Sequence, residues 1–235
     1  MTRETDTLSN AVLAGLMAVA LTAPAAAGGD ATGGAPKVAF SSAGDRAAER
    51  VFVDALMAKM TLEEKLGQLN QPPGVGNHTG PEAMAGNEDQ IRRGEIGSFF
   101  GTHGVELTCR LQKIAVEETR LGIPLIFAYD VIHGHRTLFP VPLGEAASFD
   151  PEEVRIAARH AAVEASAHGI HWVFAPVLDV SRDPRWGRIV EGAGEDPYLG
   201  AVLATARVQG FQGDDLAAPD TVLATAKHFV AYGAA

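Results

Sequence analysis

Cysteine is almost absent from this chain: Cys109 is the only one in 235 residues. A single thiol excludes an intramolecular disulfide and a cysteine-built zinc site. It also suits an oxidising compartment, where spare thiols are a liability. Positive charge is scarce too. Nineteen Lys and Arg face 29 Asp and Glu, for a net charge of −10 and a pI near 5.2. That balance argues against a nucleic-acid partner, which would favour a basic face. No Gly-x-Ser-x-Gly elbow occurs, which removes the usual serine hydrolase. No Gly-x-x-x-x-Gly-Lys-Ser/Thr phosphate loop occurs either, nor any repeat at a fixed short period. What remains is an ordinary globular composition, 46% hydrophobic and 20% charged. The length allows one large domain or two small ones, and chains of this size bury roughly 70% of their unfolded surface.

The N-terminus reads as an address. Residues 11–21 form an uncharged apolar run, followed by Thr22-Ala-Pro-Ala-Ala-Ala27. This is the pattern of a secretory signal cleaved after Ala27, although Glu4 and Asp6 offset Arg3 in the leader. The run is shorter than the ~20 residues that span a bilayer, so no membrane contact is expected after cleavage. Residues 28–43 are rich in Gly, Ala and Ser and read as a linker. A periplasmic or secreted location follows for residues 44–235.

Beyond the linker, helices and strands alternate. Residues 45–60 are helix-like, and Thr61-Leu-Glu-Glu64 is a capping box for a helix of about 8–10 residues that ends before Pro72-Pro73. Residues 72–90 read as a surface loop. Ile96–Phe100 suits a buried strand. Residues 105–121 carry Leu107, Leu111 and Ile114 at helical spacing, with Gly122 as the stop and Cys109 as a small buried hydrophobe. Residues 124–129 are a second strand, apolar throughout as in a sheet buried on both faces. Asp150 caps the next helix, with Pro151 at its first position and Glu153 closing the box. Residues 171–178 form a third strand. Asp196-Pro197 opens a helix with Leu199, Val202, Leu203 and Ala206 on one face, and residues 221–226 form a fourth strand. This order predicts an α/β fold with a parallel sheet and crossover helices, either a (β/α) barrel or an open doubly wound sheet.

Both alternatives place ligands at the carboxyl ends of strands, and polar residues gather there. Asp130, His133, His135 and Arg136 follow the second strand. Asp179, Arg182, Asp183, Arg185, Trp186, Arg188, Glu191 and Glu195 follow the third. Lys227 and His228 follow the fourth. His133-Gly-His135 is a weak metal pair, because two histidines at i, i+2 have no clear third ligand; hydrogen bonding or loop packing is the better reading. Most of Arg182, Asp183, Arg185, Arg188, Glu191 and Glu195 read as an ion-pair network. Trp186 suits either a sugar-stacking platform or core beneath the loop, and core is preferred. Carboxylates with Arg, Lys, His and Trp, and no metal cage, suit a neutral polyhydroxylated ligand, because Asp accepts from hydroxyls while Lys and Arg donate to them.

Several strings then resemble one family in order. They are Met60-Thr-Leu-Glu-Glu-Lys-Leu-Gly-Gln-Leu69, Gly122-Ile-Pro-Leu125, Tyr129-Asp-Val-Ile-His-Gly134, Phe139-Pro140 and Ala175-Pro-Val177. Arg182-Asp-Pro-Arg-Trp-Gly-Arg188, Gly194-Glu-Asp-Pro-Tyr198 and Ala226-Lys-His-Phe229 complete the set. Together they resemble the N-terminal domain of glycoside hydrolase family 3, most of all its exported bacterial β-glucosidases. The resemblance implies a (β/α)8 barrel, with about its first half in this chain, and removal of terminal non-reducing β-D-glucosyl residues with retention and no cofactor. It implies that Asp130, Arg188, Lys227 and His228 bind the sugar. Arg182, Asp183, Arg185, Trp186, Glu191 and Glu195 would be their supporting shell. It also implies a departure. The family's nucleophile lies on a later barrel strand and its usual acid/base in a second domain, whereas this chain stops seven residues past His228. Both are therefore expected downstream of Ala235, with the missing half-barrel and second domain as partners, and the 235-residue chain alone is expected to be inactive. Lys227-His-Phe-Val-Ala-Tyr-Gly233 differs from the Lys-His-Phe-Pro-Gly-His-Gly of the N-acetylglucosaminidase branch. That favours a glucosidase or a xylosidase; the β-glucosidase is expected, with a xylosidase of the same family or a catalytically silent sugar-binding module as alternatives.

Overall fold

The computed structural model describes residues 43–74 and 87–234, with side chains from residue 47 onward. The signal sequence, the linker up to residue 42 and residues 75–86 of the expected loop lie outside the described residues. No helix among the described residues is long and apolar enough to cross a membrane. The described residues divide into two units at the boundary between Lys65 and Leu66.

The first unit holds helix α1 (Ala43–Met57), which begins at the last residue of the expected linker. It also holds the capping box. The Thr61 amide donates to Glu64 Oε2 at 2.9 Å, and the Glu64 amide donates to Thr61 Oγ1 at 3.2 Å. The box opens α2 (Leu62–Gln68), one residue shorter than the shortest helix expected.

The second unit is a parallel sheet with crossover helices. Its elements are α3 (Asn87–Arg92), β1 (Ser98–Phe100), α4 (Val105–Glu117), β2 (Ile126–Tyr129), α5 (Pro142–Ala146), α6 (Pro151–Ala167), β3 (Trp172–Val173), α7 (Pro197–Gln212) and β4 (Leu223–Ala224), with short 3₁₀ turns at Ile189–Glu191 and Tyr232–Ala234. The strands lie side by side in chain order, β1-β2-β3-β4, and all pairs are parallel. A doubly wound sheet reverses its order at a switch point. Four strands in strict succession are the arrangement of a barrel wall.

Strand alternation divides the side chains between two faces. Phe99 and Phe127 are register partners whose rings stack at 6.2 Å. They bury with Ile91, Leu111, Ile114 and Ala115 of α3 and α4. Val173 and Val222 bury with Ala158, Ala161, Ala162 and Ala165 of α6 and Phe211 of α7. The alanines bring α7 very close. A Cβ on Gly210 of α7 would lie 2.4 Å from the Arg155 carbonyl oxygen and 2.7 Å from Ala158 Cβ, so only glycine fits there. The opposite face carries Phe100, Trp172 and Phe174, with ring centroids 5.5 Å apart for Phe100–Phe174 and 4.7 Å for Trp172–Phe174.

Several elements differ from expectation, each for a local reason. The third strand shrinks from residues 171–178 to two residues because Pro176 has no N–H to donate to the ladder. Pairing resumes as a single bridge between Val177 and Lys227. The second strand starts at Ile126 because the Gln112 side chain takes both backbone groups of Leu125, at 2.6 and 3.1 Å. Helix α4 ends at Glu117, not Leu121, where the Thr119 hydroxyl donates to the Ala115 carbonyl at 2.6 Å and competes with the helical bond. Residues 87–90 of the expected loop are helical, as the start of α3. Cys109 is exposed, because Thr108, Leu111 and Ala115 occupy the inward face of α4. Asp150 caps α6 through the amides of Glu152 and Glu153, but its own N–H goes to Ser148 Oγ at 3.1 Å, and Glu153 does not close the box.

Candidate functional site

Three strand ends deliver side chains to one place. Asp130 directly follows β2. Asp179 follows the Pro176 interruption after β3. Lys227 closes the bridge to Val177, and its peptide bond to His228 is cis. Lys227 Nζ donates to Asp130 Oδ1 at 2.7 Å; the Asp130 side chain stays 39% exposed while that of Lys227 is 14% exposed. His228 Nδ1 and Asp179 Oδ2 are 2.7 Å apart, with the Asp179 side chain 2% exposed. The other ring nitrogen, Nε2, lies 3.3 Å from Arg188 Nη1. A guanidinium only donates. Nε2 therefore carries the lone pair, and Nδ1 carries the proton that Asp179 accepts.

Arg188 makes a two-armed ion pair with Glu191, at 2.7 and 2.6 Å. That hydrogen bond holds the Glu191 carboxyl below the usual carboxylate range, and the charges of Arg188 and Lys227 act in the same direction. It likewise raises the Arg188 guanidinium. Arg188 lies 5.5 Å from the centre of the Tyr232 ring. Tyr232 in turn meets His228 at 5.0 Å and Trp186 at 5.5 Å, both edge-on. Asp130 with Lys227, and Asp179 with His228 and Arg188, are thus two hydrogen-bonded groups that adjoin in one cluster through the Lys227–His228 peptide. Asp179 and Tyr232 join it without having been assigned a role from sequence. Asp179 was detectable as the charge that ends an apolar run; Tyr232 gave no such signal.

The six-residue lattice resolves into separate local pairs. Asp183 pairs with Arg185 at 2.6 Å, largely in solvent. Glu191 pairs with Arg188. Arg182 and Glu195 are exposed. His133 Nδ1 lies 3.0 Å from the Phe139 carbonyl oxygen, and His135 Nε2 lies 2.9 Å from His168 Nδ1. Among the described residues no three His, Cys, Asp or Glu side chains are arranged to hold a metal ion.

Chemically, the cluster sets fixed acceptors, Asp130 and His228 Nε2, beside fixed donors, Lys227 and Arg188. A hydroxyl that donates to a carboxylate and accepts from an ammonium or guanidinium satisfies such an array. Among the described residues no Ser or Cys side chain is hydrogen-bonded to His228, whose ring nitrogens are taken by Asp179 and Arg188.

The family model for the glycosyl hydrolase family 3 N-terminal domain matches residues 61–235. A periplasmic beta-glucosidase of Salmonella typhimurium is 43% identical over 187 residues, covering 80% of this chain and 24% of that protein. A lysosomal beta glucosidase of Dictyostelium discoideum is 35% identical over 216 residues, covering 79% of this chain and 26% of that protein. The crystal structure of a Listeria innocua beta-glucosidase in complex with isofagomine is similar with a TM-score of 0.71 and 41% identity, covering 79% of this chain and 26% of that one. The chain spans about a quarter of the length of these relatives.

Proposed function

This chain belongs to glycosyl hydrolase family 3, and from that premise we propose that it supplies part of the subsite gripping the terminal non-reducing glucose of β-glucosides. The whole protein would hydrolyse the bond to that residue. The observation that carries the reading is the convergence from three successive strand ends of two hydrogen-bonded groups, Asp130 with Lys227 and Asp179 with His228 and Arg188, which adjoin through the Lys227–His228 peptide.

A pyranose ring presents neighbouring hydroxyls, each able to donate once and accept twice. Asp130 accepts from them. Lys227, already on Asp130 Oδ1, donates to the same region. Arg188 and His228 line the next position, while Asp179 holds the His228 tautomer that leaves Nε2 as an acceptor. In a retaining hydrolase two carboxyls about 5–5.5 Å apart act as nucleophile and acid/base. Both would come from outside residues 1–235, so the role of this stretch is to bind and orient the ring. Binding energy that is realised most fully as the ring distorts towards the transition state raises kcat, not only affinity.

The β-glucoside assignment draws support from relatives of that name. A putative beta-xylosidase of Formosa agariphila, 34% identical over 201 residues, supports xylosides as the second substrate to try. The secretory pattern at residues 11–27, and relatives called periplasmic, support export.

The test is hydrolysis of p-nitrophenyl β-glucoside and β-xyloside by the full-length gene product, with and without Asp130→Ala. Losing two charge-assisted hydrogen bonds of about 1.5–3 kcal/mol each predicts a fall in kcat/KM of roughly 100-fold or more. The β-glucoside should be the better substrate. Near-normal kcat/KM in the Asp130→Ala protein would remove Asp130 from the site.

A further inference from the structure

Behind Asp130 lies an ion pair that the sugar-facing cluster does not use. Arg207 of α7 and Glu145 of α5 are 7% and 8% exposed. One arm of the guanidinium, Nη2, donates to Glu145 Oε2. The other, Nη1, donates to the backbone carbonyl of Ile132 at 2.9 Å. Ile132 is two residues past Asp130, and Val131 between them is fully buried in the core with α6 and β3.

Stability is a poor explanation for this pair. Replacing a buried ion pair with apolar residues of similar volume is often neutral or favourable, because desolvation offsets the attraction. The balance at Glu145 has that sign: burial pushes its carboxyl up despite the adjacent Arg207. What an apolar pair could not do is donate to the Ile132 carbonyl. A guanidinium is a rigid planar fork, so fixing one arm on Glu145 sets the direction of the other. Residues 130–139 contain neither helix nor strand, apart from the bridge between Gly134 and Leu138. Asp130 is therefore held at its carboxylate by Lys227 and through its backbone by the anchoring of Val131 and Ile132.

We propose that Arg207 and Glu145 are positioning residues for sugar binding: together they fix the Ile132 carbonyl, and through it the placement of the Asp130 carboxylate. The proposal rests on Asp130 being a sugar-binding group. A displacement of about 1 Å at a positioning group costs up to 100-fold in rate, so the pair can matter without touching the sugar.

The experiment is a mutant cycle in the full-length gene product, read as kcat/KM on p-nitrophenyl β-glucoside together with the melting temperature. The four proteins are the wild type, Asp130→Ala, the pair variant Glu145→Leu with Arg207→Met, and all three changes combined. Removing both charges leaves none unpaired. The pair variant should melt close to the wild type yet lose kcat/KM by roughly 10-fold or more. That loss should vanish in the Asp130→Ala background, where nothing remains to be positioned. Independent, multiplying losses would overturn the proposal, because the pair would then act elsewhere; so would an undiminished kcat/KM in the pair variant. If Asp130→Ala itself is fully active, the sugar-site reading fails first and takes the proposal with it. Should the pair variant not fold, Arg207→Lys keeps the charge opposite Glu145 but loses the second arm. It should fold and show the same Asp130-dependent loss, and additivity there would overturn the proposal equally.

Discussion

His103, His135 and His168 meet around Tyr129, the residue before Asp130. His103 stands edge-on to Tyr129 at 5.2 Å and to His135 at 5.9 Å, and it stacks on His168 at 6.3 Å. Burial lowers the affinity of the His103 and His135 rings for protons, and the neighbouring imidazole of His168 adds to this. Glu164 opposes it at His135 but is itself engaged by the Thr137 hydroxyl and by the amides of Arg136 and Thr137. The consequence for stability has a definite sign. Both rings titrate below 6.5 in the folded protein and near 6.5 when unfolded. Below pH 6.5 the unfolded chain therefore holds more protons, and stability falls as pH falls. It is fully present above that value. The melting temperature should drop between pH 7 and pH 5.5, and less steeply in a His135→Gln protein. A melting temperature independent of pH over that interval would refute the assignment, as would an unchanged slope in the variant.

At the scale of elements, the contact between α6 and α7 sets two opposing effects against each other on one helix. Glycine inside a helix costs about 1 kcal/mol relative to alanine. At Gly200 nothing lies within 4 Å of an added Cβ, so Gly200→Ala should stabilise by up to that amount. At Gly210 the added Cβ would meet the Arg155 carbonyl oxygen at 2.4 Å and Ala158 Cβ at 2.7 Å. Overpacking of that kind costs about 1–3 kcal/mol and outweighs the propensity gain. Melting temperatures should rank Gly200→Ala above the wild type and Gly210→Ala below it; the reverse order would mean that α6 and α7 are not in this contact. The same contrast shows what a sequence reveals. The helix itself was legible from Asp196-Pro197 and the apolar spacing of Leu199, Leu203 and Ala206. Its closeness to α6 was not, because a glycine in a helical pattern looks alike whether it is exposed or crowded. Arg207 was hidden for a related reason: a charge inside an apolar stripe declares nothing until its partner, 62 residues away, is located. The strand-end cluster was legible because each apolar run breaks at a charge. The lengths of the third and fourth strands were not, since they depend on where Pro176 interrupts pairing between segments some 50 residues apart.

For the whole molecule, the strand order decides what the described part can do unaided. Neighbours in strict succession leave β1 and β4 as the outer strands of the described sheet. Three strand ends contribute to the cluster, so these groups would meet a bound sugar from one side. The Asp130 carboxylate and Lys227 ammonium already satisfy each other at 2.7 Å. A hydroxyl that displaces either gains little unless water is also excluded, because hydrogen bonds exchanged against water are worth only about 0.5–1.5 kcal/mol net. Enclosure on the remaining sides, which raises the worth of each polar contact, would have to come from outside the described residues. Two measurements on the 235-residue chain follow. Calorimetry with glucose should show no saturable heat at millimolar sugar, and p-nitrophenyl β-glucoside should not be turned over. Saturable binding without turnover would mean that three strand ends suffice to hold the ring and that the chain acts as a binding module. Turnover at the rate of a full-length relative would mean that a nucleophile lies among these residues after all, with Asp179 and Glu191 the first carboxylates to replace.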